Sequence, residues 1–225
     1  VPHVLDNPAW SSLTGVHAAF AEGTGLARRY RPEISPIVAL HDTDDPAAWS
    51  DLSALVGPGT QVVVPGASRP GPGWTEAARF AGVQLVATPD LVDTLAPEVV
   101  TLGSDDVPEM LGLVERNEPG PFAPETYRLG TYLGIRRGGA LVAMAGERQH
   151  PTGYTEISAV CTDAEHRGQG LAAMLVRAVA AGIRARGEVP FLHASAENVG
   201  AIRLYETLGF AWRRDITFGV LLSPA

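Results

Sequence analysis

Two glycines stand at the mouth of a long helical pattern, in the stretch EHRGQGLAAMLV over 165–176, and they constrain the fold more than any other feature of the chain. Leu171, Leu175, Val179 and Ile183 recur every four residues, which predicts a helix from about Gly170 to Arg186 with one apolar face. The run YTEISAV (154–160) before it reads as a strand, so Gly168 and Gly170 sit where a strand hands over to a helix. Glycine costs about 1 kcal/mol in a helix interior relative to alanine, so a pair at this point implies a backbone that something approaches closely. A helix N-terminus carries unpaired N–H groups and a partial positive charge, which suits an anion such as phosphate. The glycines by themselves leave two readings open: an easier turn, or phosphate binding.

The rest of the second half is organised around this helix. DVPEMLGLVERN (106–117) predicts a helix, and EPGPFAPET (118–126) a proline-rich loop. TYLGIRR (131–137), the pair Gly138-Gly139 and ALVAMAGERQ (140–149) predict a hairpin. PFLHAS (190–195) and ITFGVLL (216–222) predict strands, and NVGAIRLYETLGF (198–210) a helix capped by Asn198 and stopped at Gly209. The first half alternates differently. A helix opens at Asn7-Pro8 and runs through AWSSLTGVHAAFAEG, followed by ISPIVAL (34–40), helix-like PAAWSDLSALV (46–56), QVVV (61–64), helix-like WTEAARFA (74–81) and VQLVA (83–87). This is a small α/β pattern, and with the proline- and acid-rich LAPEVVTLGSDDVPEM (95–110) it places a boundary near residue 96, giving domains 1–96 and 97–225.

Composition narrows the function classes. A net charge of −8 argues against a nucleic-acid or anionic-membrane partner and suits a cationic small molecule or a basic peptide. The lone Cys161 excludes an internal disulfide and fits a reducing compartment, and no run approaches a membrane span, so the expected location is the cytoplasm. The six histidines show no metal-binding spacing, so no metal is expected. GPGWTEAA (71–78) loosely fits a dinucleotide fingerprint, but PGASRP separates it from the strand QVVV, which is too long for a tight strand-to-helix turn.

From Arg167 the motif is Arg-x-x-Gly-x-Ala, preceded by ISAVCTDAEH and followed some thirty residues on by NVGAIRLYETLGF. This combination resembles the GNAT superfamily of acetyl-CoA-dependent N-acetyltransferases over about residues 98–222. The resemblance implies an α/β (α+β) fold: a mixed, mostly antiparallel sheet flanked by helices, preceded here by a smaller α/β domain. It implies that backbone groups of Arg167, Gly168, Gly170, Leu171 and Ala172 hold the CoA pyrophosphate. Val160 and Thr162 would offer backbone groups to the pantetheine arm, with Thr162 where valine or leucine is more usual. Asn198 matches the residue that reaches the pantetheine, a role compatible with helix capping. Tyr205 matches the tyrosine that points at the CoA sulfur.

Acetyl transfer to an amine requires the amine to lose a proton and the thiolate to leave. Glu156 is the expected base, eleven residues before Arg167, where the histone-acetylating branch of the superfamily carries its general-base glutamate. Strand alternation would put Glu156, Ser158, Val160 and Thr162 on one face, and burial there would raise the carboxyl pKa toward the working range. Tyr205 is the expected acid. Cys161 alternates out of phase and reads as core, and His193 and Ser195 end the neighbouring strand beside the cleft. The leading function is an N-acetyltransferase with a small-molecule or peptide amine as acceptor. A non-catalytic acyl-CoA-binding regulatory module, and a nucleotide-binding protein working through the first domain, stand as alternatives. Residues 1–96 read as a companion domain that walls the acceptor cleft or as a homodimer surface.

Overall fold

The computed structural model describes residues 3–92, 94 and 96–225. In chain order the elements are α1 (Pro8–Thr14), β1 (Ala21–Glu22), β2 (Ala27–Tyr30), β3 (Val38–Leu40), α2 (Pro46–Val56), β4 (Gln61–Pro65), β5 (Thr75–Ala87), β6 (Val99–Leu102), α3 (Val107–Asn117), β7 (Tyr132–Arg137) and β8 (Ala140–Glu147). They continue with β9 (Tyr154–Thr162), α4 (Leu171–Ala185), β10 (Val189–Ser195), α5 (Val199–Leu208) and β11 (Phe210–Leu222). Eight strands form one mostly antiparallel sheet in the order β4-β11-β5-β10-β9-β8-β7-β6, with β9 and β10 parallel. A smaller sheet, β1-β2-β3, carries the remaining strands.

The four-residue repeat of α4 does what its spacing demands. Leu171, Leu175, Val179 and Ile183 are all buried in one cluster with Ile135, Ala143, Ile157 and Leu192 of the sheet. Full burial of each is worth about 1.5–3 kcal/mol, enough to fix this helix across the middle strands. On the opposite face, α3 packs Met110 and Leu113 against Tyr132, Met144, Ala159 and Cys161.

Two expectations from the first half are corrected. WTEAARFA (74–81) is not a helix: from Thr75 it is the first half of β5, which pairs antiparallel with β11 from Thr75↔Leu222 to Ala87↔Phe210. Its alanines favour a helix locally, and the long cross-strand ladder overrides that weak preference. The first helix stops at Thr14 rather than continuing through HAAFAEG. The expected boundary near residue 96 falls between β5 and β6 of the same sheet. Residues 75–87 lie between β10 and β11, so the first half of the chain donates an inner strand to the second.

The first-half segments also cover one face of that sheet. Tyr30, Ile34 and Ile37 pack with Ala9, Leu13 and Leu129, and Thr126 Oγ1 donates to the Ile34 carbonyl at 2.5 Å. The proline-rich loop 118–126 is thereby pinned to this layer, with Glu125 N–H donating to the Glu33 carbonyl at 2.9 Å.

Candidate active site

The parallel pairing of β9 and β10 runs from Tyr154↔Val189 to Ile157↔Leu192 and goes no further. Beyond it, β9 stays with β8 through Met144↔Cys161 and Ala143↔Thr162, while β10 stays with β5 as far as Ser195↔Gly82. A wedge therefore opens between two adjacent strands whose edge groups have no ladder partner there. At its apex β9 is bulged: Gly146↔Ser158 is followed by Met144↔Cys161, so three steps on β9 match two on β8. Ala159 takes up the extra residue with a left-handed φ of 52°, a strained backbone for a side chain other than glycine.

The bulge overturns the expected alternation. Ile157 and Val160 both face the α4 cluster, whereas Ala159 and Cys161 both face the α3 cluster. Glu156 precedes the bulge and lies on the face away from α4, so it does not share a face with Val160 and Thr162.

The wedge leads to the glycine loop. Gly168 and Gly170 both have φ of 77°, and a Cβ built at either would meet nothing within 4 Å. The left-handed turns need glycine, and the space above them is open. Gly170 is the N-cap of the fifteen-residue α4 and supplies no side-chain cap, so the first-turn N–H groups at Leu171 and Ala172 have no capping side chain. The Arg167 side chain turns back to the Thr162 carbonyl (3.1 Å) and to Asn117 Oδ1 (2.8 Å), leaving its backbone at the loop. Asp163 anchors the same corner by accepting from Arg116 at 3.0 and 2.9 Å. This loop fits the pyrophosphate of a CoA ester by its open backbone, its helix terminus and its lack of a competing acid at Gly168 to Ala172.

Asn198 is exposed and caps α5, its Oδ1 accepting from Ala201 N–H at 3.0 Å. Tyr205 is 7% exposed on α5, edge-on to Phe210, and burial pushes its hydroxyl up to about 12. It keeps its proton at any working pH. Burial likewise pushes the Cys161 thiol up to about 12, in a core position.

Glu156 differs from its expectation. It is 0% exposed and grips Arg148 with both oxygens, Arg148 Nε donating to Oε2 at 3.0 Å and Nη2 to Oε1 at 2.6 Å. Oε1 also accepts from His193 Nδ1 at 2.7 Å. Burial alone would push the carboxyl up, but the Arg148 guanidinium and the His193 bond outweigh it and hold the pKa at about 2. The expected rise toward the working range is therefore corrected, and a carboxylate so committed is a poor proton acceptor.

The bonds continue outward. Arg213 Nη1 donates to Gln84 Oε1 at 2.8 Å, which orients the amide so that Gln84 Nε2 donates to the Leu5 carbonyl (2.9 Å) and to His193 Nε2 (3.0 Å). These partners assign the Nδ1–H tautomer to His193. Asp6 completes the series, accepting from Arg213 at 2.7 Å. Arg148 and Gln84 were invisible to motif reading. The one sequence signal was the polar run GERQH (146–150) on the end of an apolar strand, where Glu147, Arg148 and Gln149 all prove buried. The weak fingerprint GPGWTEAA leads into β5 rather than a helix, and Gly71 is pressed against the Trp49 ring. Among the described residues no group of three or more His, Cys, Asp or Glu is placed to hold a metal, and no helix is long and apolar enough to cross a membrane.

Residues 132–218 match the family model of FR47-like proteins. Over the full length of both chains the protein is 42% identical, with a TM-score of 0.89, to a solved structure from Novosphingobium aromaticivorans DSM 12444 assigned as an acetyltransferase of the GNAT family. A GCN5-related N-acetyltransferase from Kribbella flavida shares the fold at 19% identity and a TM-score of 0.62, covering 96% of this chain and 94% of that one. A 92-residue segment is 33% identical to the mycothiol acetyltransferase of Saccharopolyspora erythraea, and this match spans 40% of the chain and only 30% of that protein.

Proposed function

This chain belongs to the GNAT family of acetyltransferases, and we propose that it moves the acetyl group of acetyl-CoA directly onto an amine, carried by a small molecule or a peptide, in a ternary complex. The observation that carries this reading is the wedge between β9 and β10, which runs from the bulge at Ala159 to the open glycine loop. The pyrophosphate would lie on the backbone of Arg167, Gly168, Gly170, Leu171 and Ala172, where N–H groups and helix dipole favour it. The pantetheine arm would follow Val160 and Thr162 toward Asn198, placing the thioester at the apex. Tyr205, held protonated, would donate toward the departing sulfur. Direct transfer is favoured over an acetylated cysteine because the Cys161 thiol is buried with its pKa raised. Glu156 would form the charged floor under the acceptor with Arg148, and the amine proton would leave to water.

The test measures two quantities. Acetyl-CoA should raise the Tm by mass action, and thiol should be released when a panel of primary amines is added. Stabilisation without thiol release across the panel would favour the alternative, a non-catalytic acyl-CoA-binding module. No stabilisation by acetyl-CoA would reject both.

A further inference from the structure

β5 outlasts its neighbour on the wedge side. β10 pairs with it only as far as Ser195↔Gly82, with a last bond from Ala196 N–H to the Ala81 carbonyl at 2.9 Å, while β11 stays alongside up to Thr75↔Leu222. The stretch 75–80 therefore projects past the end of β10, and Phe80 stands on it directly across from Phe218 of β11. Cross-strand partners share a face, and the contacts show which one. The Phe218 ring meets the His193 ring edge-on at 5.6 Å, and His193 bonds Glu156, which lies on the face away from α4. A Cβ on Gly82 would come within 2.9 Å of Phe218 Cε2, so the Phe218 ring leans across β5 at Gly82, toward β10. Arg79 turns by alternation to the opposite face, where it donates to the Ala67 and Ser68 carbonyls at 3.3 and 2.9 Å.

Both rings can be reached from outside. Phe80 is 56% exposed, the one phenylalanine of six left in water, and Phe218 is half-buried. Ala78 and Val220, the next pair on the same face, are also half-buried and extend the rings into a continuous apolar strip. The charged groups beside it are spent on each other: Glu156 on Arg148 and His193, and His193 on Glu156 and Gln84. A molecule resting here meets aromatic and aliphatic carbon, the usual lining of a small-molecule site.

We propose that the acceptor is an amine with an aromatic or bulky apolar body, and that Phe80 and Phe218 bind that body on the sheet face that carries His193 and Glu156. This inference rests on the acetyl-transfer reading above and names the substrate class of the same site. The strip is continuous with the wedge: Phe218 touches His193, and β10, which carries His193, is one of the two strands that part to form it. An amine held by its body on Phe80 and Phe218 would have its nitrogen toward β9, where the thioester is placed. Covering the two rings removes apolar surface from water, which favours such a body over a polar one of equal size.

The experiment ranks the amine panel by kcat/KM at saturating acetyl-CoA, with 2-phenylethylamine as the apolar body and ethanolamine as the polar one. Wild type should favour 2-phenylethylamine by about ten-fold or more, the scale on which apolar pockets discriminate. Phe80→Ser should lower that ratio by about ten-fold, chiefly through KM for 2-phenylethylamine, because a wall that holds the body holds it equally in the ground and transition states. Phe80→Leu, still apolar, should keep most of the preference. The Phe80 ring is already largely in water, so both variants should keep the wild-type Tm and the wild-type Kd for acetyl-CoA. A wild-type ratio of one or below, thiol release confined to amines with hydroxylated or charged bodies, or an unchanged ratio in Phe80→Ser overturns the inference alone. A wild-type dimer that Phe80→Ser converts to a monomer in sedimentation assigns the strip to a second copy and overturns it as well. A wild-type protein that releases no thiol with any amine overturns the acetyl-transfer reading and this inference with it.

Discussion

At the scale of single residues, Glu156 shows how burial and partnership together set a role. An isolated buried carboxyl would be raised and useful as a base, but one gripped by Arg148 and His193 is lowered to about 2 and is part of the framework. Glu156→Gln should therefore act on stability. Losing the charge leaves Arg148, itself only 8% exposed, without its counter-ion, and breaking a buried pair from one side costs about 3–5 kcal/mol. Urea unfolding measures that loss. Turnover of the surviving folded fraction should not recover at high pH, as it would if the lost group were a base. A Glu156→Gln protein of wild-type stability whose rate is restored at high pH would return the glutamate to the role of base.

At the scale of elements, the site is made by what β9, β10 and α4 do at their ends. β9 and β10 part after four pairs, the bulge at Ala159 turns the alternation over, and α4 begins at a left-handed position that favours glycine. Gly170→Val tests the last of these. A branched side chain at φ of 77° is strained by about 1–2 kcal/mol, which lowers the Tm modestly because no neighbour within 4 Å obstructs it. The larger effect is on the ligand. The side chain would stand in the open space over the loop, so the Tm increase produced by acetyl-CoA should disappear while circular dichroism still reports a folded protein. A full increase in the variant would place the pyrophosphate elsewhere.

At the scale of the whole molecule, the first half is part of the eight-stranded sheet and part of its cover. Removing residues 1–96 deletes β5 and leaves facing edges of β10 and β11 unpaired. A chain of residues 97–225 is expected to be insoluble or molten by near-ultraviolet circular dichroism, and a cooperative unfolding transition in it would show that the halves are separable. The cover also carries a pH dependence. His17 donates from Nε2 to the Leu129 carbonyl (3.1 Å) and accepts from the Tyr30 hydroxyl at Nδ1 (2.9 Å). Burial, and then the neighbouring His150, lowers its pKa from 6.5 to about 4. The unfolded chain thus binds a proton more readily than the folded one between these values. Stability is fully present above pH 6.5 and is lost as the pH falls toward 4, by roughly 3 kcal/mol from this group, with His150 shifted the same way. Urea titrations from pH 7 to 4.5 should show this slope, and it should be shallower in His17→Asn. The Glu156 contribution is lost only below about 4.5, in a separate window.

The sequence by itself determined the parts whose information is local. The apolar face of α4, the Gly168 and Gly170 turn, the cap and stop of α5 and the Gly138-Gly139 hairpin all follow from spacing and backbone preference, and the glycine motif together with the strand before it and the α5 segment carried the resemblance to the family. Only the tertiary structure decided the rest, because it depends on partners far away in the chain. Alanine-rich residues 75–81 became a strand because β11 lay alongside to pair with them. Glu156 became a fixed carboxylate because Arg148 and His193 converged on it, and the Tyr132 ring lies over Gly146 because that position on the neighbouring strand carries no side chain. A one-residue bulge reverses every side chain beyond it, and no periodicity in the sequence marks where the extra residue goes.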